Sequence, residues 1–346
     1  MPALELPVPG AGRGVLPAAA AAALPLLAQT EMQLVTWRRD VPYLLGWWRS
    51  VELFVPPLAA IAIFVPAEDE AVMRAALVPP RSLGYPVHVV KMAQNASDRF
   101  DTSCEGVPGR QRPQVGIGRA GYIDQQLWNL RGDELSPSRA KYIMFVDSDA
   151  MFTSWGWIVG CAFRVGRPSW KVIPYAAMSP VYLRYKPIID TLLGVDNQHE
   201  YMTKLPTLVR RDTLRDLRAH VLQRASNQGA WQREGNRAAT LSLESVVQHA
   251  LCTAERADAA LSNFNLMGAF AWFFANETFS WSKGLMSCQH VKHKGHFKNP
   301  SLHNGDGDYL REQVEELSRN VGCTHWSCSS LDGEARFAVR GEKSST

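Results

Sequence analysis

Lys141 to Phe152, KYIMFVDSDAMF, is the stretch on which the fold turns. The apolar and aromatic run Tyr142 to Val146 leads directly into Asp147-Ser148-Asp149. A continuous apolar run of that length, closed by polar residues, reads as a strand buried on both faces of a sheet. If the pleat continues into the polar residues, Asp147 and Asp149 project to one side. Carboxylates so placed repel each other, and a divalent cation relieves that repulsion. Carboxylate oxygens suit Mg²⁺ or Mn²⁺, ions that commonly also hold a substrate's phosphates. A strand that ends in an acidic pair therefore predicts chemistry on a nucleoside diphosphate. A solvated Asp-Ser-Asp turn after a core strand is the plainer alternative.

Outward from this strand the pattern alternates. Met32 to Trp37 reads as a first strand, Pro42 to Leu53 as a helix and Leu58 to Val65 as a second buried strand. Acidic residues at Pro66-Ala67-Glu68-Asp69 open the next helix, and Pro86 to Met92 forms a third strand. Asn95 to Pro113 is polar and rich in turn formers. Arg119 to Arg131 is helical, with Ile123, Leu127 and Leu130 on one face. Such alternation predicts an α/β fold, a Rossmann-like and mostly parallel sheet flanked by helices, with ligands at the carboxyl ends of the strands. Beyond Val172 the pattern changes. Helices are expected over Thr213 to Gln223 and Leu241 to Cys252, with a buried segment from Phe264 to Phe274. The organisation read from these signals is a leader over 1–30, a nucleotide-binding half over 31–172, an acceptor-side half over 173–310 and a polar tail over 311–346.

Composition narrows the function. With 346 residues, 46% hydrophobic and 20% charged, the chain can bury a large core. A net charge of +4 suits an anionic sugar nucleotide and gives no case for nucleic acid as a partner. Eleven Trp and nine Tyr offer flat surfaces of the kind sugar sites use. The Ala/Leu/Pro run Val15 to Ala28 loosely resembles a signal-peptide core, or is a disordered leader. With Pro17 and Pro25 it is too short to span a bilayer, and no other segment reads as a membrane span. Localisation stays open between the cytoplasm and a secretory lumen such as the ER or Golgi. The six cysteines lack the paired spacing of a zinc site. Cys323 and Cys328 are close enough to pair, and the other four read as buried thiols. Sequons at Asn95 and Asn276 permit N-glycosylation in a secretory lumen.

The order of these pieces resembles a GT-A glycosyltransferase. It is similar to a family of uncharacterised hexosyltransferase-like proteins that pair the helix GYIDQQLWNLRGDEL with the strand YIMFVDSDAMF. The later pieces HEYMTKLPTLV (His199 to Val209) and SNFNLMGAFAW (Ser262 to Trp272) are also similar to that pattern. One departure is Asn263, where the family often has an acid. The resemblance implies transfer of a sugar from a UDP- or GDP-linked donor to a glycan, protein or small-molecule acceptor, with Mn²⁺ or Mg²⁺ as cofactor. Asp149 would ligate the metal directly, and Asp147 would contact the ribose or the metal. His290, in the run Gln289 to His296, would complete the shell. Nucleotide contacts are expected from Thr36, Arg38 and Asp40 after the first strand, from Glu68 after the second, and from Arg119, Tyr122 and Gln125. Glu200 is the candidate catalytic carboxylate, with Asn265 near the reacting sugar.

Two alternatives remain at this stage. Haloacid-dehalogenase-like phosphatases also place Asp-x-Asp after a buried strand, although usually at the domain's start. A non-catalytic sugar- or nucleotide-binding relative would keep the fold without turnover. Gly116 to Gly121 matches GxGxxG but lacks the preceding strand a dinucleotide site needs.

Overall fold

The computed structural model describes residues 22–76, 85–92, 104, 120–148, 150–153, 157–158, 162–201, 206–227, 241–256, 258–283 and 291–292. The leader up to residue 21, the Asn95 sequon, the Gly116 to Arg119 stretch, Asp149, His290, Cys161, Cys288, Cys323, Cys328 and the polar tail lie outside the described residues.

In chain order the first half comprises α1 (Leu24–Leu27), β1 (Thr30–Val35), α2 (Val41–Phe54), β2 (Ala60–Pro66), α3 (Glu70–Ala76) and β3 (Val87–Met92). These are followed by α4 (Ala120–Leu130), α5 (Gly132–Leu135), β4 (Tyr142–Phe145) and β5 (Met151–Phe152). The remainder comprises β6 (Phe163–Arg164), β7 (Arg167–Pro174), α6 (Lys186–Leu193), β8 (His199–Glu200), β9 (Thr207–Arg210) and α7 (Arg211–Asn227). The last are α8 (Leu243–Thr253), α9 (Asn263–Phe274), β10 (Ser280–Lys283) and β11 (Val291–Lys292). The first strand thus starts and ends two residues earlier than its apolar run suggests, because Thr36 and Trp37 already belong to the loop beyond it. Helix α2 carries Pro42 in its first turn, where a missing N–H costs nothing.

The main sheet has the order β3-β2-β1-β4-β9. Strands β1 to β4 pair in parallel, and β9 runs antiparallel to β4. This is a mostly parallel α/β sheet covered on both faces, as continuous apolar strands require. On one face Met32, Leu34, Ile61, Ile63, Val65 and Met144 pack with Trp47, Phe54 and Trp157. On the other, Ile143, Phe145 and Val209 join Leu127, Leu130 and Leu217. Burying one such side chain fully contributes roughly 1.5–3 kcal/mol, so these layers dominate the stability of the sheet. Glu31 and Gln33 also point into this second face. Glu31 accepts from the Ser136 hydroxyl (2.6 Å) and the Ser138 N–H (3.2 Å), with Arg211 at 4.0 Å, so the buried charge is matched. Arg218 and Asp133 form a second buried pair that ties α7 to α5.

A smaller sheet, β10-β7-β6 with β8 beside β7, packs against the first. The Trp170 indole N–H donates to the Leu208 carbonyl at 2.7 Å and fastens β7 to β9. Helix α9 lies close to this junction because residue 268 is glycine. A Cβ there would stand 2.3 Å from the Tyr201 Cβ.

Cys104 and Cys252 form a disulfide between the segment after β3 and α8, which corrects the expectation of buried thiols at these positions. The bridge closes a sequence separation of 148 residues. In the chain-entropy picture a loop that long is worth on the order of 5 kcal/mol. Among the described residues no helix is long and apolar enough to cross a membrane.

Candidate functional site

Strands β2 and β3 extend the sheet to one side of β1, while β4 lies on the other. The direction of winding therefore reverses between β1 and β4, and open α/β sheets bind ligands in the crevice beyond the strand ends at such a point. Thr36 to Asp40 leave β1 there, and Asp147 and Ser148 leave β4.

These loops are joined. The Thr36 hydroxyl and the Ser148 hydroxyl both donate to Asp40 Oδ2, each at 3.3 Å, so one carboxylate bridges the two strand ends. Burial raises the Asp40 pKa, although Arg39, the Trp37 backbone and the two hydroxyls pull the other way. The loop after β2 is clipped on by Asp69, which accepts from the Arg38 N–H at 2.9 Å. Asp69 is buried, whereas Glu68 beside it is exposed. Arg38 is exposed as well. Sequence reading singled out Glu68; nothing in a run of adjacent acids says which one turns inward.

Helix α4 forms one wall. Tyr122 is half-buried, and burial pushes its hydroxyl pKa well above the ordinary range. Tyr185 and the Asp147 carboxylate raise it further, and Arg184 opposes them. Asp147 is half-buried within electrostatic reach of this tyrosine. Gln125 is half-buried on the same helix. Its neighbour Gln126, which sequence reading passed over, is buried and accepts from the Asn263 N–H at 2.8 Å. Arg119 precedes α4 and lies outside the described residues.

The Tyr122 hydroxyl donates to the Leu261 carbonyl at 3.4 Å, which links this wall to the start of α9. A second polar cluster begins there. Ser262 caps the helix, accepting from the Asn265 N–H at 3.2 Å. Asn265 then donates to Glu200 Oε1 at 2.7 Å and accepts from the Tyr201 N–H at 2.7 Å. Glu200 and Asn265 are thus brought together, both fully buried. Asn197 extends the network, donating to Tyr175 and accepting from Tyr201. Both tyrosines have pKa values raised by burial first and by the neighbouring Glu200 charge second or third. Asn263 is also fully buried, yet neither atom of its side-chain amide has a hydrogen-bond partner among the described residues. A native group in that state calls for an explanation.

Asp149 and His290 lie outside the described residues. Strand β11 pairs antiparallel with β5, with Val291 opposite Phe152 and Lys292 opposite Met151. Val291 and Lys292 therefore lie beside the strand that follows the acidic pair. Among the described residues no group of three or more His, Cys, Asp or Glu side chains has the arrangement of a metal site.

No family model matches the chain, and no curated protein matches it. Among the solved structures similar to it are two of LgtC. One is an active-site mutant of LgtC, at 14% identity over 64% of this chain and 70% of that one, with a TM-score of 0.36. The other is the galactosyltransferase LgtC in complex with donor and acceptor sugar analogs, at 12% identity over 83% of this chain and 96% of that one, with a TM-score of 0.38. At such scores the likeness carries no weight of its own, and the architecture rests on the strand order and register described above.

Proposed function

We propose that this chain is a metal-dependent glycosyltransferase of the GT-A kind. It would move a sugar from a nucleoside-diphosphate donor, UDP- or GDP-linked, to a glycan, protein or small-molecule acceptor. The observation that carries the reading is the junction of Thr36, Asp40 and Ser148 at the switch between β1 and β4, with Asp147 beside it. Nucleotide contacts fall to Thr36, Arg38, Asp40 and Glu68 on the strand-end loops and to Arg119, Tyr122 and Gln125 on or before α4. The position of the acidic pair in the sequence after the fourth strand in chain order favours this over the phosphatase alternative, whose motif opens its domain.

The donor set suits a hard cation, because hard oxygen atoms from Asp147 and Asp149 would stand together at one strand end. Asp147, Asp149 and His290 would hold Mn²⁺ or Mg²⁺. Bound there, the ion would neutralise charge that develops on the diphosphate leaving group, a contribution of several kcal/mol. Glu200 serves as the catalytic carboxylate, with its hydrogen-bonded partner Asn265 near the reacting sugar. The Cys104–Cys252 disulfide supports an oxidising secretory lumen over the cytoplasm.

Calorimetry with UDP- and GDP-sugars, with and without Mn²⁺, tests the proposal. Binding of one donor that strengthens markedly with the ion is the expected result. Equal affinity in both conditions would overturn the metal assignment, and no binding of any nucleotide would overturn the function.

A further inference from the structure

Helix α9 ends in a short turn, Asn276–Thr278, before β10. Asn276-Glu277-Thr278 is a sequon, and Asn276 and Glu277 are exposed. Immediately before the turn stand Phe273 and Phe274, which are 41% and 46% exposed and rank among the few large apolar side chains left open to solvent. Phe274 is held from one side by His220 (ring centroids 4.4 Å apart) and Phe270 (5.2 Å). Phe273 stands beside it as well (6.4 Å), and about half of the Phe274 side chain stays open to solvent. Two adjacent exposed aromatic rings offer a surface on which a partner can rest.

We propose that Asn276 carries an N-linked glycan whose first sugar rests on the exposed ring of Phe274. The C–H-rich face of a pyranose stacks on an aromatic ring, and a sugar on residue 276 starts two residues from that ring. The unmodified Asn276 amide donates one N–H to the Trp272 carbonyl at 3.2 Å, which leaves its second hydrogen for replacement. In the transfer step, the side-chain nitrogen bonds to C1 of an oligosaccharide carried on a polyprenyl diphosphate. The C1–O bond to the diphosphate breaks and releases the polyprenyl diphosphate, and the displaced amide proton passes to a base of the transferring enzyme. The substituted nitrogen keeps one N–H. The inference rests on passage through an oxidising secretory lumen, the compartment that the Cys104–Cys252 bridge also favours.

The test uses the full chain purified from its source cells. Treatment with an N-glycan amidase in ¹⁸O-labelled water converts a glycosylated asparagine to labelled aspartate, which peptide mass spectrometry reads at residue 276. Alkylation of free thiols in the same sample reads the state of Cys104 and Cys252. Label at residue 276, lost in N276Q and T278A and retained in T278S and N95Q, supports the proposal. Absence of label with the disulfide intact overturns the glycan and leaves the compartment standing. Absence of label with both thiols free overturns both. The stacking is read separately: glycan removal should lower Tm in the wild-type chain and leave Tm unchanged in F274A. An equal drop in both would overturn the contact with Phe274.

Discussion

The two polar regions of this molecule are built in opposite ways. At the switch between β1 and β4, Asp40 stands half-buried and is held by long hydrogen bonds, at 3.3 Å from the Thr36 and Ser148 hydroxyls. Around the start of α9, Glu200 and Asn265 are fully buried and bonded at 2.7 Å. Loosely held, partly solvated charge is suited to exchange its partners when a charged ligand arrives. A buried, short-bonded network resists rearrangement, because each broken bond leaves a polar group unpaired in low dielectric. On the proposed function the first region would capture the donor and the second would hold a fixed orientation.

The largest effect is expected at the strand end. Asp149→Ala should abolish Mn²⁺-dependent donor binding while far-UV circular dichroism and Tm stay near wild type. Asp147→Ala should follow it closely. At roughly 1.4 kcal/mol per tenfold, loss of several kcal/mol of charge neutralisation cuts turnover by a few orders of magnitude. If either variant loses its fold instead, the acids belong to the core and the contrast between the regions fails.

Glu200 sharpens the other side. Glu200→Ala removes the acceptor of the Asn265 amide and should cost about 1–3 kcal/mol of stability. Glu200→Gln keeps the shape and a hydrogen-bonding oxygen, so Tm should fall less. For a catalytic carboxylate, kcat in Glu200→Gln drops at least tenfold with donor affinity unchanged. If kcat is retained and only Tm moves, Glu200 is a structural anchor and the proposed role is lost.

Asn263 offers a smaller and more discriminating effect. Its amide is buried without a hydrogen-bond partner among the described residues, so replacing it by an apolar side chain of similar size removes an unsatisfied group. Asn263→Leu should leave Tm unchanged or slightly higher. If the amide meets substrate, KM for the donor or acceptor should rise in the same variant. An unchanged KM would leave Asn263 outside the substrate's reach.

How much of this was legible beforehand follows from the physics of each signal. The run Tyr142 to Val146 announced a strand buried on both faces, because only parallel strands inside an α/β sheet need apolar residues without alternation. The spacing of Ile123, Leu127 and Leu130 announced the buried face of α4, and all three are in the core. Strand order was not legible, since pairing joins residues far apart in sequence. For the same reason the reading missed that Ser148 would reach Asp40, and that Cys104 would bond Cys252 across 148 positions. Glu68 and Asp69 show the limit most clearly: adjacent acids carry the same charge, and only the course of the turn decides that Asp69 receives the Arg38 N–H.

The smallest expected effect concerns Asp40 and pH. Burial raises its folded pKa above the ordinary carboxylate value of 3.8. The folded chain therefore favours the protonated form, so this group adds stability below the unfolded pKa and loses it as pH rises through the folded value. Asp40→Asn, which cannot ionise, should have a slightly higher Tm than wild type at pH 7, and the gap should narrow as pH falls towards the carboxylate range. Thermal melts of the two proteins over that interval read the trend directly. A gap that widens in acid would mean that the Thr36 and Ser148 hydroxyls, with Arg39, outweigh desolvation. The strand-end carboxylate would then be as firmly held as Glu200, and the distinction between an exchangeable region and a fixed one would no longer stand.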